Sequence, residues 1–211
     1  MASVGDPVGT GLVASLGRPG GNVTGLSNFN VEIYAKRVEL LKELLPRMTR
    51  LAGLFNMGNP VVPGQWQRVE GARSIGIQPQ LLDVRRPEDL PRAFEEAATE
   101  RAEALIVALE GLTLGNLRPI AELAAKHRLP SLYGTREYAE YGGLITYGPS
   151  DLHLYHRAAT FVAKIFKGAK PAELAVEQPV KFELVITLKT AKTLGLTVPP
   201  SWLLRADRVI E

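Results

Sequence analysis

From Asn30 to Tyr147 the apolar residues alternate between two rhythms, helical and strand-like. Tyr34, Val38, Leu41 and Leu45 recur at helical spacing until Pro46 ends the helix. Leu51 to Phe55 is a short continuous apolar run, the pattern of a buried strand. The alternation then repeats. Trp66, Val69, Ala72 and Ile75 predict a helix closed by Gly76, and Leu81, Leu82 and Val84 a strand. Leu90, Ala93, Phe94 and Ala97 predict a helix, and Ala104 to Leu109 a strand. Ile120, Leu123, Ala124 and His127 predict the next helix and Leu129 to Tyr133 the next strand, then a short helix over Glu137–Tyr141 and a strand over Leu144 to Tyr147. Strand starts recur about every 25 residues, a repeated βα unit rather than a solenoid repeat. Continuous apolar strands with amphipathic helices between them predict a parallel sheet covered on both faces. Residues 31–148 therefore read as one doubly wound α/β unit.

Two ends flank that unit. Leu152, Tyr155, Ala159, Val162 and Phe166 predict a long amphipathic helix ended by Gly168, its apolar stripe facing a core. After a Gly- and Pro-containing linker to Pro179 come a strand over Phe182 to Thr187, a helix over Leu188 to Leu194 capped by Gly195, and a last helix begun by Pro199-Pro200. The C-terminal part does not continue the central rhythm, so it is expected to join the first thirty residues. The expected division is 1–30 with 168–211 as a partial lobe, and 31–167 as a complete lobe. At the front, Gly9 to Leu16 predicts a helix after a glycine-rich loop, with no room before it for a full strand.

Composition narrows the classes. The 211 residues are 45% hydrophobic and 22% charged, as in a globular protein with a core. Twenty-five Lys plus Arg against 22 Asp plus Glu leave a spread net charge of +3, with no basic stripe for nucleic acid. No apolar run approaches the length of a membrane span, and the first residues carry no signal-peptide pattern. The absence of cysteine removes disulfides, thiolate metal sites and cysteine nucleophiles.

Candidate chemistry is sparse. Gly9-Thr10-Gly11-Leu12-Val13-Ala14 fits the dinucleotide pattern, with Glu32 at a plausible distance, but the required preceding strand is missing. Asp151, His153 and His156 share a stretch without a metal-ligand motif, and read as a solvated helix face. No nucleophile elbow or P-loop is present, so no catalytic residue and no cofactor are assigned. What remains is position, because ligands in doubly wound sheets sit at the carboxyl ends of the strands. Asn56, Glu110, Gly111, Tyr133, Gly134, Glu137 and Tyr147 fall there, and Asp6 and Ser27 hold equivalent places near the front. Carboxylates, an amide and tyrosines suit a small polar or aromatic molecule.

Several segments resemble the substrate-binding proteins of a family of bacterial ABC transporters that includes tryptophan-binding members. They are Gly5-Asp6-Pro7-Val8-Gly9-Thr10-Gly11-Leu12-Val13, Arg18-Pro19-Gly20-Gly21-Asn22-Val23-Thr24-Gly25, Ala35-Lys36-Arg37 with Leu40-Leu41-Lys42-Glu43-Leu44, and Ile120-Ala121-Glu122-Leu123-Ala124. Glu177-Gln178-Pro179 and Lys181-Phe182-Glu183-Leu184-Val185-Ile186 extend the likeness toward the C-terminus. It implies a type I periplasmic-binding-protein-like α/β fold, with one complete lobe plus a partial second one. It implies a small-molecule ligand, an amino acid or an aromatic or organic acid, held between lobes for a permease in the periplasm or outside the cell. It implies no catalysis. It adds Pro7 to the expected ligand contacts, and places Glu110-Gly111 where family members usually carry Asp-Pro. It also implies that the chain starts partway through the first lobe, leaving a half-built cleft of weak affinity and an exposed sheet edge on which a homodimer is expected. An intracellular ligand-sensing domain on the same fold is the alternative, and a nucleotide-dependent enzyme a more distant one.

Overall fold

Leu51 through Phe55 are all buried, and so are Ala104 through Val107. Strands apolar on both sides need cover on both faces, and helices supply it. The computed structural model describes residues 1–28 and 31–211. In chain order it contains α1 (Ile33–Leu44), β1 (Arg50–Phe55), α2 (Val62–Glu70), β2 (Gln78–Asp83), α3 (Leu90–Thr99), β3 (Ala104–Val107), α4 (Gly111–Leu114), α5 (Leu117–Lys126), β4 (Ser131–Tyr133) and β5 (Ile145–Pro149). Then follow α6 (Asp151–Phe166), β6 (Phe182–Thr187), α7 (Leu188–Leu194), α8 (Pro200–Arg205) and β7 (Arg208–Ile210). The strands form one sheet in the order β2-β1-β3-β4-β5-β6-β7. β1 to β5 pair in parallel. Helices α1 and α2 pack together, as do α3 and α5. The chain steps from β1 to β2 on one side and returns past β1 to β3 on the other. Right-handed crossovers therefore put the two helix pairs on opposite faces.

The last strands extend this sheet, contrary to the expectation that they join the front of the chain. Thr187 N donates to Leu144 O, and Ser150 N to Lys181 O, so opposite ends of β5 and β6 meet and β6 runs antiparallel to β5. β7 pairs in parallel with β6. An antiparallel edge on a parallel sheet needs no βα rhythm, which is why periodicity did not place these strands. The end is clamped within its own unit. Glu43 of α1 accepts from the buried Trp202 indole at 2.8 Å and from Arg205 at 2.9 and 3.2 Å.

Two compact units result, Met1–Val31 with Pro149–Phe182, and Glu32–Gly148 with Glu183–Glu211. Residues 183–211 and the helix α6 thus each fall on the other side of the expected division. The second unit holds the large core. The first holds a cluster of Leu26, Leu154 and Phe161. Its α6 buries Leu154 and Phe161, while the stripe read as core-facing lies in solvent, with Leu152 70% and Phe166 86% exposed. Nor does the expected helix at Gly9–Leu16 form. The segment makes turns, in which the Asp6 carboxylate accepts from Gly9 N at 2.7 Å and Gly11 takes a φ of 72°, a left-handed conformation that interrupts a helix.

Two outcomes test this packing. A Cβ on Gly53, at the centre of β1, would lie 2.5 Å from the Trp66 ring and 2.8 Å from Phe55. Gly53→Ala is expected to cost about 1–3 kcal/mol through overpacking, read as a lower urea midpoint. Arg205 beside Glu43 holds that carboxyl below the usual carboxylate range. Its contribution is therefore full above the unfolded-state pKa, near about 4.3, and is lost as pH falls through the lowered folded value. The pair is partly exposed, so Glu43→Gln should remove no more than about 1 kcal/mol of that acid-side dependence. Urea midpoints measured between neutral and acid pH check it.

Candidate functional site

The order β2-β1-β3 reverses the winding between β1 and β3, which opens a crevice beyond the carboxyl ends of those two strands. Asn56 and Glu110 follow those strands, and the structure brings them together. Asn56 Nδ2 donates to Glu110 Oε2 at 3.4 Å, and Asn59 Nδ2 donates to the same oxygen at 3.3 Å. The Asn56 and Asn59 amide oxygens are held by their own loop, accepting from Gly58 N and Val61 N. Phe55, packed between Tyr34 (tilted) and Trp66 (edge-to-face) at centroid distances of 5.5 and 5.3 Å, fixes the strand end from which Asn56 projects.

Glu110 is buried and serves its own chain as well. It is the N-cap of α4, with Oε1 accepting from Thr113 N at 2.9 Å while Glu110 N donates to Thr113 Oγ1 at 3.3 Å. Thr113 is anchored in turn, its hydroxyl donating to Ala108 O at 2.6 Å and its carbonyl accepting from Tyr138 at 3.0 Å. Gly111 opens α4 with open space where a Cβ would stand. The arrangement leaves a carboxylate with one oxygen committed to the helix cap and the other engaged by two long amide contacts.

Other expected residues are placed differently. The Tyr133 ring is buried in the core, stacked on Tyr138 at 3.9 Å, and burial pushes both phenols well above their ordinary pKa. Its side chain is therefore a core group and not a loop contact, because β4 is buried along its whole length between helices and its last side chain packs into that core. Gly134 is buried beside Leu109 and Arg37, where a Cβ would come within 2.9 and 2.8 Å. Glu137 is half-buried, accepts from Thr135 Oγ1, and lies 3.7 Å from Arg136 Nε. Tyr147 is half-buried and offers its carbonyl to Arg37 Nε at 2.9 Å. In the first unit, Asp6 serves its own turn, Pro7 is buried, and Ser27 is buried with its N–H bonded to Glu177 O at 2.9 Å.

Sequence reasoning passed over four residues. Asn59 and Thr113 complete the Glu110 cluster, and the short α4 that carries Thr113 has no apolar periodicity to betray it. Tyr34 was read as core, yet its hydroxyl accepts from Leu109 N at 2.9 Å, next to Glu110. Arg37 is fully buried one helical turn further on. A charged residue inside an otherwise apolar helical stripe was the available signal. Among the described residues no group of three His, Cys, Asp or Glu side chains is placed to hold a metal ion, and no helix is long and apolar enough to cross a membrane.

The mostly parallel seven-stranded sheet and its helices define an α/β protein of the type I periplasmic-binding-protein kind, and solved structures share that fold. The chain belongs to the family of ABC transporter substrate binding proteins, whose model matches residues 1–210. It is similar to an ABC domain from Streptococcus pneumonia solved in complex with L-Trp, at a TM-score of 0.87 and 27% identity, over 100% of this chain and 72% of that one. A conserved domain protein from Vibrio cholerae matches at a TM-score of 0.88 and 27% identity, over 97% of this chain and 68% of that one. The tyrosine-binding protein of Clostridioides difficile is 22% identical over 198 residues, which are 93% of this chain and 56% of that protein. The chain thus spans little more than half the length of that curated relative. The family and these relatives named for their ligands are solute-binding proteins, not enzymes.

Proposed function

We propose that the chain is the solute-binding component of an ABC importer, and that its second unit receives the ammonium end of an amino acid at the switch point between β1 and β3. One observation carries the reading. Glu110 is a buried carboxylate whose Oε2 is engaged, among the described residues, by the Asn56 and Asn59 amides alone, at 3.4 and 3.3 Å. Such long contacts to an ionised oxygen are weak and exchangeable, whereas an ammonium would bind at a normal charge-assisted distance. The ligands named for the relatives, L-Trp and tyrosine, support an aromatic amino acid. Gly111, Gly134, Glu137 and Tyr147 remain proposed as neighbouring ligand contacts, with Asp6, Pro7 and Ser27 proposed from the first unit. The family membership supports delivery to a permease and a place in the periplasm or outside the cell.

A titration followed by NMR tests the site even at low affinity. L-tryptophan or L-tyrosine should move the side-chain amide resonances of Asn56 and Asn59, and indole-3-propionate, which lacks the ammonium, should not. Glu110→Gln keeps an oxygen for the Thr113 cap but removes the charge, and should weaken binding about tenfold or more, equivalent to about 1.4 kcal/mol. Equal responses to tryptophan and indole-3-propionate would overturn the assignment. Self-association through an exposed strand edge is a separate proposal, supported by the ready pairing of unprotected edges. Sedimentation equilibrium should show a concentration-dependent dimer, and a monomer at high concentration would end that idea.

A further inference from the structure

Arg37 is fully buried on α1, and no carboxylate among the described residues pairs with it. Its Nε donates to Tyr147 O at 2.9 Å and its Nη2 reaches Gly134 O at 3.5 Å. Its guanidinium carbon stands 4.6 Å above the Tyr34 ring, whose hydroxyl in turn accepts from Leu109 N. The loops after β3 and β4 and the middle of β5 are thereby tied to one pair of side chains on one helix. The space around the pair is filled. A Cβ on Gly134 would lie 2.8 Å from Arg37 Nη2, and one on Gly148 would lie 1.8 Å from Gly134 O.

This arrangement is costly as a purely structural device. Among the described residues Arg37 Nη1 has no hydrogen-bond partner, and a buried donor left unsatisfied is expensive. Burial also lowers the Arg37 pKa, although a guanidinium stays charged at any working pH. An apolar side chain of similar length would fill the same space without stranding a buried charge. Local rules broken at such cost are the mark of a functional position.

We propose that Arg37, backed by Tyr34, is the positioning residue of the ligand site: by holding the Gly134 and Tyr147 carbonyls together it fixes the loop after β4 against β5 beside the ligand. The inference rests on the reading of the switch-point loops as the ligand site. Arg37 touches no ligand itself. It acts through the loop backbones, and glycine at 134 and 148 is what lets those backbones close around the guanidinium.

NMR of the whole chain tests the role with and without ligand. In Arg37→Met the carbonyl carbon resonances of Gly134 and Tyr147 should move, and the amides of Thr135 and Gly148 should lose order. Leu54 and Ile106, in the sheet centre, should keep their resonances. The response to L-tryptophan should weaken about tenfold or more. In Arg37→Ala, added ethylguanidinium should restore both the loop resonances and the tryptophan response, which a general loss of packing would not allow. Should neither variant fold, Gly134→Ala crowds the guanidinium with the arginine present, and should disturb the Tyr147 carbonyl in the same way. Unchanged loops, or changes spread evenly through the sheet, would overturn the proposal. If the wild-type chain ignores L-tryptophan, the ligand reading fails, while the loop resonances still decide what Arg37 does.

Discussion

The parallel strands β1 to β5, covered on both faces, all point their carboxyl ends the same way, and the rest of the second unit's organisation follows from that constraint. The loops after β1, β3 and β4 are gathered along one edge of the unit. Because β2 lies on one side of β1 and β3 on the other, the loops after β1 and β3 diverge. That divergence leaves room for polar side chains between them. Asn56, Asn59 and Glu110 meet there because the winding turns there, not because they are close in sequence. The buried strands supply rigidity. Phe55, wedged between Tyr34 and Trp66, leaves the residue that follows it little freedom.

The same constraint explains what could be read from the chain. Repeating apolar strands and amphipathic helices are local signals, and apart from the short α4 the elements from α1 through β5 were legible because each carries a continuous or periodic apolar pattern. The carboxyl-end rule picked Asn56 and Glu110, which the structure brings into contact, without knowledge of the strand order. It found Tyr133 by the same rule and misjudged it, since the rule gives the end of a strand but not the face on which its last side chain falls. β6 and β7 were assigned to the wrong unit for a related reason. Their partner strand is fixed by long-range hydrogen bonds such as Thr187 N to Leu144 O, which leave no periodic trace. Asn59 and Thr113 were invisible because their roles exist only in contact with Glu110.

Helix α6 shows where periodicity and burial part company. The heptad-like stripe of Leu152, Tyr155, Ala159, Val162 and Phe166 is as regular as any in the chain, and it faces solvent. Leu154 and Phe161, which interrupt that pattern, are the residues in the small core. Helix α6 thus spends two large side chains on the small core and leaves several uncovered. The second unit buries nearly every apolar residue of its strands. Positional precision for a ligand therefore belongs with the second unit, which has the packing to hold side chains in place.

Within that unit the two buried charges do opposite work. Arg37 engages backbone carbonyls, and its reach is used up in bringing loops together. Glu110 engages one backbone N–H firmly and two side-chain amides loosely. A carboxylate oxygen has room for more than one donor, so an incoming cation need not break the helix cap to reach Oε2. The amides displaced from it would gain freedom to donate to the ligand. In the proposed site the carboxylate is held in place without being saturated: the cap on Oε1 supplies the rigidity, and the weak amide pair on Oε2 is the part a ligand cation would exchange.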